Sequence, residues 1–392
     1  MSSLLIRNAK VIAGEKILEG YAVYCENGKI VHVRKDSDEM SADVEVDADG
    51  KYIAPGFIDL HMHGAHDISA ESSKQGLGEL LTIMPRYGVT AMLAGVCPHK
   101  SDEAEIERLE EFSEIESEGT QLLGFFLEGH FLTLFGAIAY IPEDRSKKRV
   151  VALKKAASPK KIAFAISPEL ENITELLPEM VKDGYPAFIT HTGATHEQTE
   201  AAIAAGATHA THFYNVFPDN GDKEPGVRAC GTVEAIYANP DVTVDFIMDG
   251  EHVEPIAVRM ALACKDKSNV CIISDSNVNA GLPPGEYKGV GGKGLVVAYE
   301  GGPARMTSGE LSGTLSGSGL TLDRGLRNAM KMTGVGLTQA VAMVSYNPSK
   351  VLGLHERKGR IEEGYDADMV MLDEELNVSM CWVGADCKYK RD

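Results

Sequence analysis

Pro55-Gly56-Phe57-Ile58-Asp59-Leu60-His61-Met62-His63-Gly64 is an apolar run, opened by Pro-Gly, that ends in two histidines one residue apart. Successive side chains of a β-strand point to opposite faces, so His61 and His63 project from one side and can share a cation. Alone, the pair reads equally well as two polar residues at a strand end. The residues that end the strands further along favour the first reading.

From Pro55 onward, apolar strands alternate with helical stretches, the pattern of a parallel βα array. Eight strands can be read: Gly56 to His63, Val89 to Cys97, Leu122 to Glu128, Ile162 to Ile166, Ala187 to His191, Ala207 to His212, Val242 to Met248 and Val270 to Asp275. Helical stretches lie between them, among them Asp102 to Glu118, Glu169 to Asp183, Thr195 to Ala205 and Glu254 to Lys267. Eight units in a row, followed by chain return, predict an α/β fold closed as a (β/α)8 TIM-type barrel. An open doubly wound sheet explains the alternation but not the count.

Residues 4 to 54 read instead as short alternating strands, with Asn27-Gly28 as a hairpin turn. After the eighth unit come two helices, Thr321 to Thr333 and Thr338 to Tyr346, and a final turn and strand over Gly359 to Leu372. The expected division is a small discontinuous β domain, 1–54 plus 356–392, flanking a catalytic barrel of 55–355.

Composition narrows the function classes. No apolar run of the 392-residue chain approaches the ~20 residues of a membrane helix, which predicts a protein that neither spans nor binds a membrane. The amino-terminal run Met1 to Asn8 has no basic segment ahead of a long apolar one, so a cytoplasmic location is expected. A net charge of −20 disfavours nucleic acid. Seven scattered cysteines, with no Cys-x-x-Cys, predict reduced and mostly buried thiols. The acidic run Glu103 to Glu118 is expected to be a solvated helix face.

Reactive groups of such barrels collect at the C-terminal rim. The residues there are His61 and His63, Glu128, His191, His212 and Asp275, all of types that bind divalent cations. Four imidazoles and two carboxylates suit zinc, or iron, manganese or cobalt. Six ligands serve one ion generously or two ions with Glu128 between them, and the sequence leaves both open. Each residue alone has an ordinary structural reading: Glu128 as a helix cap, His191 as a satisfied rim histidine, Asp275 as a turn initiator. A cation here would lower the pKa of water and polarise a carbonyl, with Asp275 accepting the water proton and returning it to a departing amine. His209, three residues before His212, faces the other way and is expected to be structural.

These motifs, with Thr208-His209-Ala210-Thr211-His212-Phe213-Tyr214-Asn215, Glu224-Pro225-Gly226, Asp249-Gly250-Glu251-His252, Ser274-Asp275-Ser276 and Gly313-Thr314-Leu315-Ser316-Gly317-Ser318, resemble the N-acetylglucosamine-6-phosphate deacetylases of the amidohydrolase superfamily. The resemblance runs over nearly the whole chain. It implies a barrel with a small β-sandwich, one or two divalent metal ions, and removal of acetate from a phosphorylated amino sugar. It further implies a homodimer in which a neighbour's residue reaches the phosphate. On this likeness Glu128, His191 and His212 bind one ion and His61 with His63 a second, with Asp275 as acid and base. His252 contacts substrate, Asn215 and the backbone at Val216 cradle phosphate, and Lys223, Arg228, Leu315 and Gly317 complete the substrate shell. Four departures concern that shell, one of them Val216 and Phe217 after Asn215, bulkier than the family's usual alanine and methionine. Lys223 stands where the family usually has an arginine, His130 where it favours proline, and no histidine falls between Phe131 and Asp144. Another N-acyl amine, N-acetylgalactosamine 6-phosphate or a cyclic amide is the alternative substrate; an inactive binding homologue is the alternative class.

Overall fold

Hydrogen bonds between the two chain ends set the frame. The computed structural model describes residues 3–37, 39–138, 140–182, 184–288, 294–309 and 311–392; Met1, Ser2 and Asp183, the expected end of one helix, lie outside them. Strands β1 (Leu4–Ala13), β2 (Lys16–Glu26), β3 (Lys29–Lys35), β4 (Val44–Asp47) and β5 (Tyr52–Pro55) come first. The runs Leu4 to Ile6 and Lys10 to Gly14, which the sequence presents as two separate short strands, belong as far as Ala13 to one strand, β1 (Leu4–Ala13), bulged about Asn8, whose φ is 51°. Asn27 (φ 51°) and Gly28 (φ 75°) make the tight turn between β2 and β3, as their residue types require.

The barrel follows directly with β6 (Phe57–Met62), then a small ribbon of β7 (Gly64–Ala65) and β8 (Ile68–Ser69), α1 (Lys74–Ile83), β9 (Val89–Val96), α2 (Asp102–Ser113), β10 (Gln121–Phe131) and α3 (Lys147–Ala157). It continues through β11 (Lys161–Ile166), α4 (Ile173–Val181), β12 (Phe188–Ile189), α5 (His196–Ala204) and β13 (His209–Ala210). An exposed hairpin, β14 (Asp222–Glu224) and β15 (Val227–Arg228), precedes α6 (Thr232–Ala238), β16 (Thr243–Ile247), α7 (Pro255–Cys264) and β17 (Val270–Ile273). A three-stranded sheet, β18 (Gly285–Lys288), β19 (Gly294–Val297) and β20 (Arg305–Met306), leads to α8 (Leu322–Thr333), α9 (Leu337–Val344) and α10 (Tyr346–Val351). The chain ends with β21 (Met369–Leu372), β22 (Val378–Val383) and β23 (Asp386–Lys390).

Eight parallel strands run in the order β6-β9-β10-β11-β12-β13-β16-β17, the order of the sequence. The seam between β17 and β6 is closed by Asp275 N–H to His61 O (2.9 Å) and His63 N–H to Ser276 O (2.9 Å). The Asp59 carboxylate takes part in the same seam, accepting from Ser274 N–H at 3.2 Å. Strands β9, β16 and β17 are buried along their whole length, as expected of a sheet with helices outside and packed side chains within.

The second sheet runs β23-β22-β21-β5-β1-β2-β3, with β4 on β1, and joins both chain ends around its own core about Trp382. Gly56 is the step from this sheet into the barrel. Its N–H bonds Asp368 O, and a Cβ there would fall 2.2 Å from Thr90 Oγ1, so no side chain fits. The expectation of mostly buried thiols fails, while that of a solvated acidic run holds for every glutamate but Glu105. Cys25, Cys271 and Cys381 are buried, but Cys230, Cys264 and Cys387 are exposed and Cys97 is half-buried. Within the acidic run, Glu105 turns inward and is fully buried against Arg149 and His130, because α2 lays that face on the barrel.

Candidate metal centre

All six rim residues converge. Glu128 is the hub: Oε1 lies 3.1 Å from His212 Nε2 and 3.4 Å from His191 Nε2, while Oε2 lies 3.1 Å from His63 Nε2 and 3.6 Å from His61 Nε2. Asp275 Oδ1 is 3.6 Å from His61 Nε2 and 3.7 Å from His63 Nε2. Among the described residues three groupings of metal-ligand type overlap, His61 with Glu128 and His212, His61 with His63 and Asp275, and His63 with Cys97 and Glu128, each with ligand atoms within 4.8 Å of one another.

The backbone bends to make this possible. His191, His212 and Asp275 have φ of 47°, 33° and 43°, in the left-handed region that ordinary side chains avoid. Each such residue costs on the order of 1–3 kcal/mol, and such strain collects where a side chain must be aimed. Each lies just beyond the end of its strand, where the turn swings the side chain over the barrel mouth.

The imidazoles are oriented for coordination. His191 Nδ1 donates to Leu134 O at 3.1 Å and His212 Nδ1 to Asn215 O at 3.2 Å, which leaves Nε2 of both facing Glu128. A backbone carbonyl on the far nitrogen fixes the tautomer that a metal ligand needs. His61 Nε2 and His63 Nε2 approach to 2.9 Å. Two lone pairs tolerate that distance only across a shared proton or a common cation, so the donor set fits a divalent metal.

Charge follows the same logic. Burial would push the Glu128 carboxyl up, but the His61 charge and the hydrogen bonds from His191 and His212 outweigh it and hold the group well below the ordinary carboxylate range. Burial would lower His63 and His212, yet the hydrogen bond and charge of Glu128, with Asp275 adding to both, carry each up to about 9. The pocket therefore demands positive charge. His191 goes the other way, lowered by burial more than Glu128 restores.

A sequence model of the amidohydrolase family matches residues 52–388. The N-acetylglucosamine-6-phosphate deacetylase of Lysinibacillus sphaericus is 33% identical over 382 residues, covering 95% of each chain. The chain belongs to the N-acetylglucosamine-6-phosphate deacetylase family of amidohydrolases. The N-acetylgalactosamine-6-phosphate deacetylase of Escherichia coli O157:H7 is 28% identical over 341 residues, 86% of this chain and 87% of that one. Among solved structures, the N-acetylglucosamine-6-phosphate deacetylase of Thermotoga maritima is 28% identical, with a TM-score of 0.80 over 99% of this chain and 100% of the other.

Around this family's barrel mouth, the remaining candidate residues divide. Asn215 and Val216 are half-buried and tied to the cluster, Asn215 through His212 and Val216 through its carbonyl, which accepts from Thr192 N–H at 3.2 Å. Gly317 (φ 59°) lies against Asp275, where a Cβ would come 3.0 Å from Asp275 O, and Leu315 precedes it in the same loop. His252 is buried with Nδ1 on Asp249 Oδ2 at 2.6 Å. Lys223 and Arg228 lie on the exposed β14–β15 hairpin, with Arg228 paired to Glu234 at 2.7 Å.

His130 is not at the barrel mouth; it is buried against Glu105 of α2. In its stretch of chain Gly136 lies so close to His191 that a Cβ would fall 2.5 Å from the ring. His209 is structural, with Nε2 2.7 Å from Asp245 Oδ2, and Asp245 Oδ1 accepts the His212 N–H at 2.6 Å. Sequence reasoning passed over Asp245, Asp59 and Cys97. Asp59 lies two residues before His61 on the same strand face, a visible signal; its carboxyl is pushed up to about 6 by burial.

Proposed function

We propose that this protein hydrolyses the amide of an N-acetylated amino-sugar 6-phosphate, releasing acetate, with N-acetylglucosamine 6-phosphate as its substrate. The observation that carries the reading is the Glu128 carboxylate set between His191 and His212 on one side and His61 and His63 on the other, with Asp275 beside the second pair. His61, His63, Glu128, His191 and His212 would hold one or two divalent ions, and zinc suits this set of imidazole and carboxylate donors. A cation held there supplies Lewis acidity, easing ionisation of water and polarising the amide carbonyl.

The chain's own residues do the rest. Asp275 takes the proton of the attacking water and returns it to the departing amine, a role suited to a carboxylate on a loop braced by Ser318 N–H on its carbonyl (2.7 Å). His252, its tautomer fixed by Asp249, binds substrate through the other ring nitrogen. Asn215 and the backbone at Val216 hold the phosphate, aided by the point charge of Lys223 and the forked guanidinium of Arg228, while Leu315 and Gly317 flank the sugar. The reading extends to a cytoplasmic homodimer whose partner chain completes the phosphate site; among the described residues no helix is long and apolar enough to cross a membrane.

A second substrate, N-acetylgalactosamine 6-phosphate, is favoured by the relative from Escherichia coli O157:H7. A panel of N-acetylhexosamines, each with and without the 6-phosphate, tests both. Acetate release highest from N-acetylglucosamine 6-phosphate supports the first reading, preference for the galacto epimer the second. No release from any phosphorylated sugar by metal-loaded protein overturns both.

A further inference from the structure

We propose that Cys97 is a thiolate ligand of the divalent cation held between His63 and Glu128, an inference that rests on the metal-hydrolase reading above. Cys97 follows Val96, the last residue of β9, at the rim that carries the other ligands. In the sheet register Val96 lies opposite Leu127 and Ala94 opposite Met62, so Cys97 is level with Glu128 and Gly95 with His63. Residues 95 and 97 share one face of their strand. At 95 the missing side chain makes room for a ring, because a Cβ there would fall 2.8 Å from His63 Cε1 and Nδ1. At 97 the face carries sulfur. Cys97 Sγ, a His63 nitrogen and a Glu128 oxygen all lie within 4.8 Å of one another. Ligands on one tetrahedral zinc, with bonds of about 2.0–2.3 Å, stand about 3.5 Å apart, so a small side-chain adjustment closes this group around an ion.

The support around Cys97 is costly for a residue with no task. Its N–H donates to Glu71 Oε2 at 2.9 Å, its carbonyl accepts from Arg108 Nη2 at 2.7 Å, and Arg108 and Glu71 pair at 3.4 Å. Taking a carboxylate and a guanidinium out of water is unfavourable, and here both fix the backbone of one cysteine. From the other side Pro98 lies against Gly129, where a Cβ would come 2.6 Å from Pro98 Cδ. The cysteine is thereby held beside Glu128. Coordination replaces the S–H bond by a sulfur–metal bond, the proton passing to buffer, and needs no oxidant. The added soft, negative donor biases the site toward zinc-like ions over magnesium or manganese.

The test loads full-length protein with cobalt(II) and records its absorption. A near-ultraviolet sulfur-to-cobalt charge-transfer band, lost in Cys97→Ser and kept in Cys230→Ser, is the expected result. Bound cobalt showing only the ligand-field bands of a nitrogen and oxygen shell overturns the Cys97 assignment and leaves the metal reading standing. Protein that binds no cobalt overturns both. A second measurement needs no variant: alkylation of Cys97 by iodoacetamide, followed by peptide mass, slows at least ~10-fold on cobalt loading. Equal rates with and without cobalt overturn the proposal.

Discussion

Replacing Glu128 by glutamine keeps the volume of the hub and removes its charge. One carboxylate oxygen serves His191 and His212, the other His61 and His63, at 3.1–3.6 Å. An amide presents one oxygen and one NH2, so whichever way it turns, one pair faces a donor where it had an acceptor. At an effective dielectric of ~20, unit charges at this separation interact by about 5 kcal/mol. Relaxation leaves roughly 3–5 kcal/mol, the usual cost of removing one partner from a buried charged set. That corresponds to a fall in metal affinity of about two to three and a half orders of magnitude. Metal content after dialysis and titration of the metal-free protein measure it, with circular dichroism confirming the fold. Retention of the wild-type metal content, with affinity within about threefold, would refute the reasoning.

Asp275→Asn should leave metal content near wild type and lower kcat by ~10²–10⁴, the usual worth of a positioned acid and base; acetate release at the wild-type rate removes its role. In the metal-free protein His63 and His212 are raised from 6.5 to about 9, chiefly because Glu128 outweighs burial. Their stabilising charge is complete below the ordinary histidine value and is lost as pH climbs through about 9, so the Tm of metal-free protein should fall across that window. Calorimetry showing a rise there would contradict the assignment. Gly95→Ala places a methyl group 2.8 Å from the His63 ring and should weaken metal binding through displacement of that ligand; unchanged metal affinity would show that the ring has room.

The eight strands were legible because burial on both faces writes near-continuous apolar runs, as in Val89–Val96. The shortest, β12 and β13, show only two paired residues each where five or six were expected. There the chain breaks register early so that His191 and His212 can turn inward, and no propensity announces a histidine with positive φ. The ligand types were legible, since polar residues ending apolar strands stand out. Cys97, the ligand proposed above, was not, because sulfur at the end of an apolar strand looks like one more hydrophobic residue. Glu105 was hidden for a related reason: composition counts acidic residues in a run but does not say which one faces the barrel. Substrate residues on loops, such as Lys223 and Leu315, lack periodicity altogether, and only likeness to a family pointed to them.

Anomalous diffraction at the absorption edge of the bound metal examines the centre most directly. The expected map has its strongest peak between Glu128 and the imidazoles of His191 and His212, at bond lengths of about 2.0–2.2 Å. A peak elsewhere, or Glu128 out of coordination distance of both histidines, would contradict the chemistry proposed for this barrel.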